Sequence, residues 1–153
     1  MSINMTDLTI AIPNYNGGNN LKRAIESCRN IKSSKSNYEI LVVDNKSTDN
    51  SLQIIDSFKN EFPNLRLIKN QTNVGRIKNW NVCIDNSQGD YLLYLFTNDM
   101  ISENNNINQI IEILDSDSSI SLCLSSFLKK DKEREYIRKK FFEKIISCPF
   151  DKF

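Results

Sequence analysis

Histidine is absent from the 153-residue chain. That removes imidazole acid–base catalysis, Ser-His-Asp and Cys-His nucleophile systems and histidine metal sites in one step. Any chemistry has to run on carboxylates, amides, hydroxyls, Lys and Arg. An excess of charge is missing as well: 20 Lys plus Arg stand against 19 Asp plus Glu, a formal net charge of +1 that argues neither for nucleic acid nor for an acidic tail. No apolar run approaches the roughly 18 residues a membrane helix needs. Cys28, Cys83, Cys123 and Cys148 form no C-x-x-C pair, and no basic segment followed by an apolar run opens the chain. The reading is a reduced, cytoplasmic protein, with peripheral contact at the inner face of the membrane left open.

What is present is an alternation of elements. With 39% hydrophobic residues, the length suits one cored domain. "LTIAIP" (8–13) is a short strand closed by proline, and the Asn- and Gly-rich stretch after it is loop chemistry. "LKRAIESCRNI" places Leu21, Ala24, Ile25, Cys28 and Ile31 on one helical face. "YEILVVD" (38–44) is a nearly continuous apolar strand, as expected of a sheet covered on both faces. "STDNSLQIIDSFKNEF" reads as a helix with Ser47 or Asp49 as its cap. "LRLIKN" is a third strand, "NVGRIKNWNVCIDNS" a loop and helix, and "GDYLLYLF" a fourth strand. A helix over about 103–114 and a strand "ISLCLSSF" follow. This order predicts a mostly parallel α/β sheet with helices on both faces.

Ligands of such sheets collect at the carboxyl ends of the strands. The polar residues fall there: Pro13, Asn14, Tyr15 and Asn16 after the first strand, Asp44 and Asn45 after the second, Asn98 and Asp99 after the fourth. A carboxylate ending a buried strand is costly unless something pairs with it, and a metal, a ribose hydroxyl or a base amide would serve.

The segments "LTIAIPNYNGGNNLKRAIESC", "YEILVVDNKSTDNS" and "NVGRIKNWNVCIDNSQGDYLLYLFTNDM" closely resemble the nucleotide-binding half of the family 2 glycosyltransferases, over roughly 8–127. The resemblance implies a GT-A (Rossmann-like) fold. It also implies inverting transfer of a sugar from a nucleotide-diphosphate donor, here a UDP-sugar, to a saccharide or lipid-linked acceptor in surface polysaccharide synthesis, with Mg2+ or Mn2+. By the same resemblance Pro13, Tyr15 and Asn16 border the donor base, and Asp44 or Asn45 hydrogen-bonds it. Gly75, Arg76 and Lys78 lie near base and diphosphate. Asn98 and Asp99 match the family's D-x-D-type metal motif. Asp99, the only acid at that strand end, is the expected metal ligand, and Asn98 is expected to bond a ribose hydroxyl or a metal-bound water. Many relatives carry two or three acids there, so weaker metal affinity is expected.

Other features carry plainer expectations. Trp80 reads as core by helical spacing, and Phe96 as core or pocket wall. Gly17-Gly18 reads as a turn, since no phosphate-loop pattern accompanies it. Asp115-Ser116-Asp117 spells D-x-D but reads as a turn. The domain reading is a nucleotide-diphospho-sugar-binding domain over 1–128 and a charged amphipathic helical tail over 129–153. Tyr136, Ile137, Phe141, Ile145 and Ile146 are the apolar anchors of that tail, for docking, a second subunit or a lipid surface. The acceptor half is expected to be short or missing, and no acid, including Glu133, Glu135, Glu143 and Asp151, stands in a context that marks a general base. The alternative is a donor-binding or assembly module with little transferase activity.

Overall fold

The computed structural model describes residues 6–31, 37–120, 122, 127–130 and 135–138. Its compact units are Met1–Asn105 and Asn106–Phe153, a division earlier than the expected one at 128. The first unit holds strands β1 (Thr6–Asn14), β2 (Tyr38–Asp44), β3 (Leu65–Lys69) and β4 (Gly89–Tyr94) and helices α1 (Gly18–Ser27), α2 (Ser51–Phe58) and α3 (Arg76–Asn86). The strands form one parallel sheet in the order β3-β2-β1-β4. The chain therefore winds outward from β1 through β2 to β3, then returns by α3 to the other side of β1. Ligands of open α/β sheets sit where the winding reverses, and here that is between the carboxyl ends of β1 and β4.

Both faces of the sheet are covered, which explains the continuous apolar character of β1 and β2. Ala11, Leu41 and Val43 are fully buried and join Cys83 of α3, with Ile68, Val82, Leu92 and Tyr94 packed around them. The alternate residues Ile10, Ile12, Ile40 and Val42 are equally buried and point to the opposite face by the two-residue period of a strand. Helices α1 and α2 pack together and bury Leu21, Ala24 and Ile25 on one, Ile55 and Phe58 on the other.

A buried carboxylate breaks the apolar pattern near the start of β2. Glu39 of β2 is 6% exposed. Its carboxylate accepts from Thr9 Oγ1 at 2.7 Å, from the Gln88 backbone N–H at 2.8 Å and from Arg66 Nε at 3.0 Å. Arg66 also donates to the Asn86 carbonyl, and Thr9 Oγ1 accepts from the Gly89 N–H at 2.9 Å. The charge is thus paired and hydrogen-bonded, the condition for burying a carboxylate, and it ties three strands to the α3–β4 turn.

Several boundaries differ from the sequence reading. Ser47 does not cap α2, which starts at Ser51 after Asn50; instead Asp49 Oδ1 accepts the Ser51 N–H at 3.0 Å in a local turn. The fourth strand stops at Tyr94, two residues short. In the second unit the helix starts later than expected, as α4 (Ile107–Ser116). Most of the expected strand over 120–127 lies outside the described residues. β5 (Phe127–Lys130) and β6 (Glu135–Arg138) pair antiparallel, with Leu128 opposite Ile137 and Lys129 opposite Tyr136. The helical reading of the tail therefore does not hold over 135–138, where an aromatic and a β-branched residue favour a strand. Residues 139–153 lie outside the described residues.

Candidate functional site: a nucleotide-sized cleft at the strand ends

The first unit opens into a cleft of about 670 Å³, within the range of small-molecule sites. Pro13, Asn14 and Tyr15 come from the end of β1, Asn45 from the end of β2, Asn73, Arg76, Asn79 and Trp80 from the β3–α3 loop and α3, and Phe96 to Asp99 from the end of β4. Of the residues expected at the site, Pro13, Tyr15, Asn45, Arg76, Asn98 and Asp99 line it. Asn16, Asp44, Gly75 and Lys78 do not.

Asp44 is displaced from the cleft by its own hydrogen bonds. It is 2% exposed and is the register partner of Asn14. Its Oδ1 accepts from Asn14 Nδ2 at 2.8 Å and from Ser47 Oγ at 2.6 Å, and its Oδ2 accepts the Ser47 N–H at 3.0 Å. Lys46 takes the left-handed conformation, φ 65°, that folds Ser47 back onto the carboxylate. Ser47 Oγ in turn accepts from Asn14 Nδ2 and from the Asn16 N–H, and Asn16 Oδ1 accepts the Thr48 N–H at 2.8 Å. Asp44 and Asn16 therefore lock the β1–α1 and β2–α2 turns together. Asn14 carries the contact to the cleft.

A second set of amides shapes the opposite wall. Asn45 Oδ1 accepts from Asn70 Nδ2 at 3.0 Å and from the Val74 N–H at 2.9 Å, while its Nδ2 donates to Asn73 Oδ1 at 2.8 Å and to the Gly75 carbonyl at 3.4 Å. Asn70 Nδ2 also donates to Asn79 Oδ1, and Asn79 Nδ2 to the Val43 carbonyl. The expected base-binding group Asn45 is thus a saturated hub that holds the 73–75 loop. Gly75, at φ 82°, takes a conformation that β-carbon-bearing residues avoid, and this turns the chain into α3.

The third wall is aromatic. Trp80 is half-buried rather than core, a correction to its helical-spacing reading. Its ring lies 5.1 Å from Phe96 and 6.2 Å from Tyr94, with the Arg76 guanidinium 5.6 Å above its centroid. Arg76 and Trp80 are one helical turn apart, the spacing at which side chains meet. Tyr94 donates its hydroxyl to the Trp80 carbonyl at 2.9 Å, and desolvation raises the pKa of this phenol. Phe96 lines the cleft as wall, one of the two roles expected of it.

Asp99 faces this space on an exposed turn in which its N–H donates to the Phe96 carbonyl at 2.8 Å. Its carboxylate makes no hydrogen bond or ion pair among the described residues. It does not cap the next helix, whose N-cap is Asn106. The loop is pinned to α1 by Asn20 Nδ2 donating to Asn98 Oδ1 at 3.1 Å and by the Ile101 N–H donating to Ser27 Oγ at 3.0 Å. Among the described residues no cluster of three or more His, Cys, Asp or Glu side chains is present. Asp117 accepts from the Ser119 hydroxyl at 2.7 Å and from its N–H at 2.9 Å, and these bonds hold its carboxyl below the usual range; the turn starts only there, because Asp115 and Ser116 close α4, a correction to the turn reading of 115–117.

The family description "Glycosyl transferase family 2" matches residues 9–152. The chain belongs to that family. It is 33% identical over 100 residues to an uncharacterized glycosyltransferase of Haemophilus influenzae, covering 65% of this chain and 39% of the relative. It is 34% identical over 95 residues to the poly(ribitol-phosphate) beta-glucosyltransferase of Bacillus spizizenii, covering 61% of this chain and 15% of the relative. The family 2 chain thus spans well under half the length of these relatives. Among solved structures, S. aureus TarS 1-349 in complex with UDP-GlcNAc superposes with a TM-score of 0.65 at 26% identity, covering 72% of this chain and 32% of that one. A Pyrobaculum calidifontis mannosyltransferase in complex with GDP-Man and Mn2+ superposes with a TM-score of 0.61 at 17% identity, covering 68% and 31%, and shares the fold. The fold is therefore GT-A, as expected. Asn73, Asn79, Trp80 and Thr97 were not anticipated at the cleft; the density of asparagines in "NQTNVGRIKNWN" is a signal for Asn73 and Asn79, whereas Trp80 and Thr97 are brought there by the fold.

Proposed function

We propose that this family 2 chain carries the donor half of a metal-dependent, inverting glycosyltransferase. It takes a UDP-sugar and serves a saccharide or lipid-linked acceptor of surface polysaccharide synthesis, in the cytoplasm or at the inner face of the membrane. The observation that carries the reading is the cleft at the β1–β4 reversal, which brings Arg76 and the unpaired carboxylate of Asp99 into one amide- and aromatic-lined space. The complexes of relatives with UDP-GlcNAc and with GDP-Man and Mn2+ support it.

The residues present fit a divalent ion of one kind. Mg2+ and Mn2+ favour oxygen ligands, and Mg2+ keeps several waters and is held by one or two carboxylates together with substrate phosphates. A single exposed carboxylate, Asp99, suits an ion that arrives with the diphosphate rather than one held in a protein cage. When bound, such an ion offsets the negative charge that builds on the departing diphosphate. Around it Arg76 supplies a fixed cation for the phosphates, Tyr15 and Pro13 offer surfaces to the base, and Trp80 with Phe96 excludes water from one side.

Calorimetric titration tests this. UDP is expected to bind more tightly with Mn2+ than without, and Asp99→Ala to abolish that difference while leaving metal-free binding unchanged. Equal affinity for every nucleotide regardless of metal would overturn the assignment. The second reading, a binding module without transfer, is favoured by Asp99 being the only acid among the described residues that lines the cleft. Hydrolysis of a UDP-sugar in the presence of Mn2+ separates the two: tight binding without bond cleavage supports the module.

A further inference from the structure

Helix α1 and the 3-10 turn Cys28–Asn30 that continues it carry a polar stripe beside the apolar face of Leu21, Ala24 and Ile25. Asn20, Arg23, Ser27 and Asn30 recur at steps of three, four and three residues, which places them along one line of the helix. Each meets the segment that leaves β4, in chain order. Asn20 bonds Asn98 at 3.1 Å, and Arg23 donates to Met100 Sδ at 3.5 Å. Ser27 Oγ accepts the Ile101 N–H at 3.0 Å, and Asn30 Nδ2 donates to the Ile101 carbonyl at 2.7 Å. The Asn30 carbonyl in turn accepts from Asn105 Nδ2 at 2.8 Å.

Ile101 is the firmest point of this contact. Both of its backbone groups are taken by α1-side partners, and at 8% exposure water has little access to replace them. The Ser27 hydroxyl has a fixed role, because its proton goes to the Ala24 carbonyl at 2.7 Å. On the other side of the turn, the Leu95 N–H donates to the Ala11 carbonyl at 2.9 Å. Asp99 stands between these two anchors, and its carboxylate makes no bond of its own among the described residues. The anchors therefore decide where that carboxylate stands.

Building on the metal-dependent donor reading above, we infer that the polar stripe of α1 positions the Asp99 carboxylate for a divalent cation carried by the diphosphate, with Ser27 and Asn30 as the positioning residues. Neither lines the cleft. An ion shared between one carboxylate and the phosphates of its ligand needs that carboxylate at a fixed place. A turn released at Ile101 occupies the competent arrangement for only part of the time, and apparent affinity falls by that fraction. Tyr15 and Arg76 reach the cleft from other elements, so binding of the nucleotide without metal does not pass through Ile101.

Titrations of UDP with and without Mn2+, on the wild type, Ser27→Ala and Asn30→Ala, test the inference. The ratio of the two affinities is the quantity to follow, because a loss of folded protein weakens both titrations alike and leaves it unmoved. Each variant is expected to bind UDP without metal as the wild type does. The tightening given by Mn2+ is expected to shrink about tenfold or to vanish, the scale of groups that support a metal ligand without touching the metal. Should Ser27→Ala unfold the chain by leaving the Ile101 N–H without an acceptor, Asn30→Ala, at the end of the helix, decides alone. A wild-type ratio in either folded variant overturns the inference and leaves the metal-dependent reading standing. A ratio of one in the wild type itself overturns the metal-dependent reading and this inference with it.

Discussion

Asn14 is where the chain meets its tightest local constraint. Both amide hydrogens go to Asp44 and Ser47, which leaves Oδ1 buried with no hydrogen-bond partner among the described residues. That oxygen sits so close to Gly17 that a β-carbon there would lie 2.2 Å from it, and 3.0 Å from Leu21 Cβ. Gly17 is therefore required by proximity rather than by backbone angle. Gly17→Ala should cost about 1–3 kcal/mol by overpacking, read as a lower midpoint in denaturant. In an Asn14→Ala background the same change should cost measurably less, because the clashing oxygen is gone. An equal cost in both backgrounds would refute the contact.

At the scale of elements, Glu39 shows how a polar group serves a buried sheet. Its bonds to Thr9, Arg66 and the Gln88 N–H join β1, β2, β3 and the turn into β4. Glu39→Ala leaves Arg66, Thr9 and a backbone N–H short of their acceptor. Its expected cost is about 3 kcal/mol or more, measured by urea unfolding. An unchanged unfolding midpoint would show that solvent replaces the carboxylate without loss. The apolar neighbours of Glu39 predict the strand correctly, but its partners are remote in sequence, so periodicity alone leaves the bonds invisible.

For the whole molecule, the buried thiols report on integrity. Burial pushes Cys28 and Cys83 up to about 12, whereas a thiol in the unfolded chain ionises near about 8.5. Between those values the folded state binds more protons than the unfolded one, so stability falls as pH rises through that window. The expected outcome is that a thiol reagent at pH 8 labels Cys28 and Cys83 only on unfolding, with mass spectrometry locating the label. Labelling of either at the native rate of an exposed thiol would contradict the packing around α1 and α3. No helix among the described residues is long and apolar enough to cross a membrane.

The sequence by itself determined the alternation of elements, the sheet covered on both faces and the clustering of polar residues at strand ends. These follow from hydrophobic period and turn chemistry, which are local. It also carried the three motifs that identify the family. Only the tertiary structure decided which polar residues face the cleft: Asp44 turns inward because Asn14 reaches it from the neighbouring strand while Ser47 folds back from its own loop, and Asn45 is saturated by Asn70, Asn73, Val74 and Gly75. Trp80 lines the opening because the end of β4 passes beside α3. A side chain's hydrogen-bonding capacity is finite, and whether any of it is left for a ligand depends on partners that only folding brings within reach.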